Sequence, residues 1–132
     1  MKKILLLTCS VLFTSTIAYA CGGITIKSKY CLSEHTMNWY SAYAWCHDQG
    51  MDMIDLNSAC GSRSKCPALQ LSESEQNGVG VNGTYTDFVN WVWTKDSYSA
   101  SRVWSVQLVT GAISSDRSSW GERRFDGRAL CQ

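Results

Sequence analysis

Apolar and small residues recur at intervals of three and four between residues 37 and 50, and this spacing predicts an amphipathic helix. Asn38 or Thr36 can cap its start, because a short polar side chain accepts a hydrogen bond from an unpaired backbone N–H. Gly50 stands where a helix ends in a left-handed residue. The apolar face carries Cys46, so we expect the helix to be bonded covalently to a distant segment. The other members of that face are Trp39, Ala42, Trp45 and Gln49.

Alternation of apolar and polar residues predicts β-strands on both sides of this helix. Before it, Ile24 and Ile26 alternate with polar residues. After it, residues 51–56 alternate in the same way and point Met51, Met53 and Ile54 inward. In the second half of the chain, with a turn at Thr110-Gly111, the pattern predicts strands at residues 88–94, 103–109, 112–114 and 128–131.

The remaining segments are polar or rich in glycine. Residues 60–66 and 115–122 are predicted as polar loops, and residues 68–76 as either a short helix or a loop. The glycines in residues 77–83 indicate a turn or a mobile loop. Because most strands follow the helix, the chain is predicted to be α+β, with an antiparallel sheet and one main helix.

The first twenty residues have the features of a signal peptide. Lys2 and Lys3 precede an apolar run at residues 4–12, which is too short to span a bilayer, and residues 18–20 (Ala-Tyr-Ala) form a small-x-small cleavage site. We therefore expect cleavage after Ala20 and export to the periplasm, the cell surface or the medium. Residues 21–132 then form one domain, without a transmembrane segment. Lipidation of Cys21 is the alternative, but Ala18 stands where a lipobox normally has Leu, Val or Ile.

Charge and cysteine content narrow the class of protein. Without Lys2 and Lys3, the 12 basic residues fall to 10 against 11 acidic residues, and this balance predicts no nucleic-acid partner. Six cysteines in an exported domain indicate three disulfides, although fifteen pairings are possible. We favour two bridges that close short loops and one that joins the helix to the last strand: Cys21–Cys31, Cys60–Cys66 and Cys46–Cys131. No CxxC pair is present and the two histidines lack ligand spacing, so no zinc site and no cofactor are predicted.

The order of these features resembles the C-type-lectin-like fold. That fold opens with a cysteine-bridged hairpin, continues with a helix of the pattern W-x-x-A-x-x-x-C-x-x-x-G, and ends in a strand with a cysteine. The pattern is matched at Trp39, Ala42, Cys46 and Gly50, and again at Cys131. In the fold the helix cysteine bonds the last-strand cysteine, so the resemblance implies Cys46–Cys131 independently.

Residues 91–131 resemble the bacterial Lcl C-terminal domain family and the related Fibrobacter-type paralogous surface domains. The matching segments are Trp93-Thr94, Tyr98-Ser99, residues 103–108, residues 111–113 and Leu130-Cys131. Those families are modules of bacterial surface and secreted proteins, and some members are adhesins. The Glu-Pro-Asn and Trp-Asn-Asp motifs of calcium-dependent lectins are missing, so we predict no metal site.

Candidate contact residues lie in the basic C-terminal part of the chain. Trp120 is placed in a polar loop, whereas the other tryptophans occupy periodic positions that favour core packing. Arginine side chains match carboxylate and sulfate groups, although a solvated face of mixed charge is the simpler reading. Arg128 and Lys95 belong to the same basic region, and the ligand-facing loops are predicted at residues 78–87, 95–102 and 115–124. The residues predicted to bind are Trp120, Arg117, Arg123, Arg124, Arg102 and Tyr98.

These features predict an exported bacterial binding module, of adhesin type, for a glycan or protein ligand at a cell surface. The alternative is a small structural subunit of a pilus or secretion apparatus. An enzyme is the third reading. Carboxylates such as Asp52 and Asp55 are present, but no motif singles out a catalytic pair, and the predicted disulfides use every cysteine after the signal peptide.

Overall fold

The computed structural model describes residues 21–84, 87–114 and 126–132. The predicted signal peptide lies outside these residues. Within them the structure has six strands, three α-helices and two 3₁₀ turns, at Pro67–Leu69 and Phe88–Asn90. In chain order the elements are β1 (Ile24–Ile26), β2 (Tyr30–Met37), α1 (Trp39–Asp48), α2 (Leu56–Cys60), α3 (Glu73–Val79), β3 (Trp91–Ser97), β4 (Val103–Gln107), β5 (Ile113–Ser114) and β6 (Gly127–Cys131).

The six strands form one mixed sheet in the order β1-β2-β6-β3-β4-β5. Neighbouring strands are antiparallel except for β3 and β6, which are parallel, with Val92 opposite Arg128. The predicted α+β class is confirmed, and the prediction of a purely antiparallel sheet is wrong. The last strand is inserted between β2 and β3, and it runs antiparallel to β2 and parallel to β3.

Apolar side chains cover both faces of the sheet. On one face, α1 contributes Ala42 and Cys46, which pack with Met53 and Trp93. On the other face, Val92 and its cross-strand neighbour Val106 pack against α2, α3 and the segments that connect them. Because both faces are covered, side chains that point to either face are buried in the first four residues of β3 and in all of β6. Ser105 and Gln107, on the polar side of the predicted alternation, are buried too.

The three predicted disulfides are present. The Cα atoms are 5.8 Å apart in Cys21–Cys31, 5.5 Å apart in Cys46–Cys131 and 4.7 Å apart in Cys60–Cys66. Cys46–Cys131 spans 85 residues and bonds α1 to β6, a central strand of the sheet. The bridge therefore joins the two halves of the domain through its core.

The predicted helix is confirmed, but it begins two residues later than residue 37. Met37 is the last residue of β2, a strand that the sequence pattern did not predict because its first four residues are all buried. Asn38 caps α1, where its side chain accepts a hydrogen bond from Ser41 N at 2.9 Å. Gly50 has a φ of 69°, as its position after the helix predicted.

One predicted strand is absent from the structure, and another begins later than predicted. Residues 51–56 do not form a strand, although Met53 and Ile54 are buried and Met53 forms an isolated bridge with Cys131. Asp55 instead begins α2 by accepting a hydrogen bond from Ser58 N at 2.8 Å. The strand predicted at residues 88–94 begins at Trp91, because a 3₁₀ turn capped by Asp87 occupies the three residues before it.

A helix replaces part of the predicted glycine-rich turn. The α3 helix starts at a capping box, in which Ser72 and Glu75 each accept a hydrogen bond from the other residue's backbone. Gly78 lies inside this helix, and Gly80 ends it with a φ of 71°. The predicted turn at Thr110-Gly111 and the hairpin that follows it are confirmed, with Gly111 at a φ of 74°.

Candidate functional site

Two of the predicted contact residues lie in the turn between β3 and β4. Tyr98 N and Ser99 N both donate hydrogen bonds to Arg102 O, at 2.9 and 3.2 Å. The turn is therefore closed by its own backbone. It presents an exposed segment, residues 98–101, while Arg102 is half-buried at its base.

The Tyr98 ring is exposed and supported from the sheet. It is 52% exposed, and it meets the Trp104 ring nearly at a right angle, with the two ring centroids 5.2 Å apart. Trp104 is half-buried and packs against the core, and its carbonyl accepts a hydrogen bond from Thr94 Oγ1 at 2.8 Å. The turn thus holds an aromatic side chain in solvent on a rigid support, which is a common property of binding loops.

Charged side chains below this turn are paired with one another. Lys95 Nζ lies 2.5 Å from Asp52 Oδ2, and this hydrogen bond is the main reason that the pKa of Lys95 is raised. Asp96 accepts a hydrogen bond from Leu56 N at 2.8 Å and lies 3.7 Å from the Arg63 guanidinium. Lys95 therefore anchors the strand and adds little to a basic patch.

The prediction that Arg128 contributes to a basic surface is wrong. Arg128 is only 2% exposed, because β6 lies in the middle of the sheet. Its Nε donates to Ser33 O at 2.8 Å, and its Nη1 donates to Val79 O at 2.6 Å and Val89 O at 3.4 Å. Burial lowers the pKa of Arg128, and Glu34 opposes this shift. The side chain connects β2, α3 and the 3₁₀ turn before β3.

The other predicted loops contribute less, or lie outside the described residues. In residues 78–84 and 87, Asn82 donates to Asp87 Oδ2 at 2.9 Å and accepts from Asn90 Nδ2 at 3.1 Å, so these side chains lock the loop internally. The hydrogen bond from Asn82 is the main reason that the pKa of Asp87 is lowered. The predicted loop at residues 115–124 lies outside the described residues, together with Trp120, Arg117, Arg123 and Arg124.

The tryptophans predicted to pack in the core divide into two groups. Trp91 and Trp93 are buried, and Trp93 Nε1 donates to Met37 O at 2.9 Å. Trp39, Trp45 and Trp104 are only half-buried. Core packing is therefore confirmed for the β3 pair, while the half-buried rings also form part of the molecular surface.

Sequence reasoning missed an aromatic surface on α1. Tyr40 is 59% exposed and Tyr43 is 40% exposed, and both rings contact Trp39. Tyr43 also lies against His47, with centroids 5.9 Å apart. The available signal was the spacing of residues 40, 43 and 47, which is a second helical periodicity outside the buried face.

A cleft of about 810 Å³ lies between the β1–β2 turn and the C-terminal end of α1. Its lining includes the Cys21–Cys31 bridge, Lys29 and Asp48. No residue predicted to contact a ligand lines this cleft.

The side chains considered above for catalysis take part in other interactions in the structure. All six cysteines after residue 20 are in disulfides, so none of them is a thiol nucleophile. Asp52 is paired with Lys95, and hydrogen bonding, chiefly from Ser58 N, lowers the pKa of Asp55, whereas a catalytic acid needs a raised pKa. Among the described residues, no group of three or more His, Cys, Asp or Glu side chains is positioned to hold a metal ion.

In the part of the chain that the structure describes, no helix is long and apolar enough to cross a membrane. Comparison with protein-family models, with curated proteins and with solved structures finds no match to this chain.

Proposed function

We propose that residues 21–132 are an exported, calcium-independent binding module of adhesin type, on a C-type-lectin-like scaffold, with a glycan as ligand. The scaffold assignment is supported by the bridged hairpin of β1 and β2 and by the bond between the cysteine of α1 and that of the last strand. Disulfides are typical of proteins that work outside the cytoplasm, which agrees with the predicted export.

The exposed Tyr98 ring on the closed β3–β4 turn is the observation that carries this proposal. A ring supported by Trp104 loses little conformational freedom when a ligand binds, so more of the contact energy remains as affinity. Arg102 lies at the base of the same turn, and its guanidinium supplies donors for hydroxyl, carboxylate or sulfate groups. A sugar chain offers both apolar ring faces and such polar groups.

A glycan array, probed with the exported protein in the presence of a chelator, tests this function. A glycan identified in this way is then titrated by calorimetry as a soluble, monovalent oligosaccharide. We expect Tyr98→Ala to weaken the affinity at least tenfold and Tyr40→Ala, an equally exposed tyrosine elsewhere, to leave it unchanged. Trp120→Ala and Arg123→Ala extend the test to the loop at residues 115–124.

Three results contradict the proposal. One is glycan binding that disappears in chelator, and another is an unchanged affinity in Tyr98→Ala. The third is the absence of glycan binding together with co-purification of the protein in an assembled fibre, which would favour the alternative role as a pilus or secretion subunit.

A further inference from the structure

The cleft between the β1–β2 hairpin and α1 is large enough for a small molecule. The α1 helix packs mainly on β6 and β3, the strands that follow the hairpin in the sheet order. The cleft of about 810 Å³ lies beside the hairpin, where the helix ends, and we name it the hairpin cleft. Its volume is within the range of small-molecule sites, about 300–1,000 Å³.

The Cys21–Cys31 disulfide lines the hairpin cleft, and the surroundings of its two sulfurs differ. Cys21 is half-buried, and its Sγ lies 3.8 Å from Thr25 Oγ1, another lining residue. Cys31 is only 1% exposed, and its Sγ lies 3.6 Å from Gln49 Oε1. A nucleophile in the cleft therefore reaches the sulfur of Cys21, and the sulfur of Cys31 is the leaving group.

The segment that carries Cys21 is held in place independently of the bridge. Gly22 N donates a hydrogen bond to Gln49 Oε1 at 2.6 Å. Gly23 packs so closely on β2 that a Cβ at this position would overlap Leu32 O. Opening of the bridge therefore leaves Cys21 at the cleft, and a group bonded to its sulfur lies between the cleft walls.

The other two bridges lie outside the hairpin cleft. Cys46, Cys131 and Cys66 are all 0% exposed, and Cys60 is half-buried. Accessibility is one of the factors that set the rate of thiol–disulfide exchange. Cys21–Cys31 is thus the bridge that is both reachable and provided with a cavity for the attacking molecule.

The cleft lining carries one charge of each sign. Lys29 Nζ lies over the Tyr30 ring, 5.0 Å from its centroid. Asp48 is the last residue of α1, where the negative end of the helix dipole adds to its carboxylate. Among the described residues, neither charge is in an ion pair, so each can bind a group of the opposite sign. A molecule with a carboxylate and an ammonium group matches this lining.

We propose that the hairpin cleft is a site for a small zwitterionic thiol, of the size of cysteine or a cysteine-containing tripeptide, which exchanges with the Cys21–Cys31 bridge. The incoming thiolate attacks Cys21 Sγ, the bond between the two cysteines breaks, and Cys31 Sγ leaves with the electron pair. Cys31 Sγ takes up a proton from water, which replaces the one lost by the incoming thiol.

The exchange balances without a further oxidant or reductant, because one thiol is consumed and one is formed. The new thiol of Cys31 can donate to Gln49 Oε1. A carbonyl oxygen accepts two hydrogen bonds, so the bond from Gly22 N is retained. The product is a mixed disulfide on Cys21, with the ligand in the cleft.

Peptide mass spectrometry of the oxidised protein, incubated with the tripeptide thiol glutathione, tests the proposal. The reaction is quenched in acid, and the unfolded protein is alkylated without reduction. We expect glutathione on Cys21 and the alkyl label on Cys31 in the same molecules, while the other two bridges remain intact. Mercaptoethanol, an uncharged thiol, gives the rate that accessibility alone produces.

Charge variants separate recognition in the cleft from simple accessibility. We expect Lys29→Ala and Asp48→Ala each to slow the addition of glutathione about two- to fivefold, which corresponds to the loss of one exposed ion pair. Neither variant should change the rate with mercaptoethanol. Lys65→Ala, which removes an exposed lysine outside the cleft, is the matched control and should change neither rate.

Three results would overturn the proposal. One is addition to Cys60 or Cys66 before Cys21, and another is the absence of an adduct under conditions in which glutathione exchanges with a small disulfide. The third is an equal effect of Lys29→Ala on both thiols, which would exclude recognition of the carboxylate. The site does not depend on the function proposed for Tyr98, and the mass spectra and the glycan calorimetry distinguish the failure of one from the failure of the other.

Discussion

The turn between β1 and β2 contains two adjacent non-glycine residues in the left-handed region. Lys27 has a φ of 51° and Ser28 a φ of 61°, and Lys29 N donates to Ile26 O at 3.2 Å to close the turn. Tight hairpin turns of this kind favour Asn-Gly, because Cβ is unfavourable at both central positions. Lys27 also forms an ion pair with Glu75, in which Nζ lies 3.0 Å from Oε1.

We expect Ser28→Gly to raise the free energy of unfolding by about 0.5–1 kcal/mol, because glycine adopts the left-handed conformation without steric cost. Urea denaturation of the oxidised protein measures this change. Ser28→Ala is the matched control and should give no increase, because alanine retains the Cβ. An equal gain in both variants would show that strain in this turn is not the cause.

Single residues also show where local reasoning succeeded. Asn38 as a cap, Gly50 as a left-handed terminus and Gly111 in a turn were all predictable, because their conformations depend on neighbours within four residues. Arg128 was misplaced because its burial depends on backbone carbonyls 39 to 95 residues away along the chain.

The N-terminus of α3 is stabilised by one carboxylate with two partners. Glu75 Oε1 accepts hydrogen bonds from Ser72 N and from Lys27 Nζ, each at 3.0 Å. The bond from Ser72 N is the largest cause that lowers the pKa of Glu75, followed by the bond from Lys27. Through this residue, α3 is joined to the strained hairpin of β1 and β2.

A lowered pKa in the folded state makes this contribution dependent on pH. The ionised Glu75 stabilises the protein above the pKa of the unfolded state, and the stabilisation is lost as the pH falls through the lower pKa of the folded state. At about pH 7, we expect the Glu75→Gln variant to have a lower urea midpoint than the unsubstituted protein. At about pH 2, the two midpoints should be equal. Glu73→Gln, in the same first turn but outside the capping box, is the control. A gap that persists at low pH would rule out the ionic contribution.

Among the elements, α1 and β1 were found from their periodicity, whereas β2 was missed. The α1 helix and the short β1 strand each have one face in the core, so the pattern of apolar residues is visible in the sequence. By contrast, β2 begins with four buried residues and shows no alternation there. Residues 51–56 alternate, yet hydrogen bonds from Ser58 to Asp55 make their last residue the start of α2.

The whole domain is held together by the bridge between α1 and β6. Cys46–Cys131 closes a loop of 85 residues, whereas Cys60–Cys66 closes one of 6. In the chain-entropy model, longer loops restrict the unfolded state more strongly. We expect the double substitution of Cys46 and Cys131 by alanine to lower the unfolding free energy by about 4–5 kcal/mol, and that of Cys60 and Cys66 by about 2 kcal/mol. Guanidinium denaturation measures both, and equal losses would contradict the model.

The candidate site was only partly accessible to sequence reasoning. The predicted turn residues Tyr98 and Arg102 do lie together, because they belong to one closed turn. The exposed tyrosines of α1, Tyr40 and Tyr43, were overlooked although their helical spacing is visible in the sequence, because the spacing alone does not tell which of two aromatic faces is exposed. Which aromatic residues remain exposed is decided by packing between distant elements.

The disulfide pairing that was favoured was one of fifteen possibilities, whereas cysteine content and short-range patterns were enough to predict three disulfides, the α+β class and the main helix. These depend on cysteine content and on interactions within a few residues, which leave regular signals in the sequence. The parallel pairing of β3 with β6, the burial of Arg128 and the exposed second face of α1 required the tertiary structure. They depend on where β6 enters the sheet, and the contacts of β6 with β2 and β3 have no local signal, because they arise only when the whole core is packed.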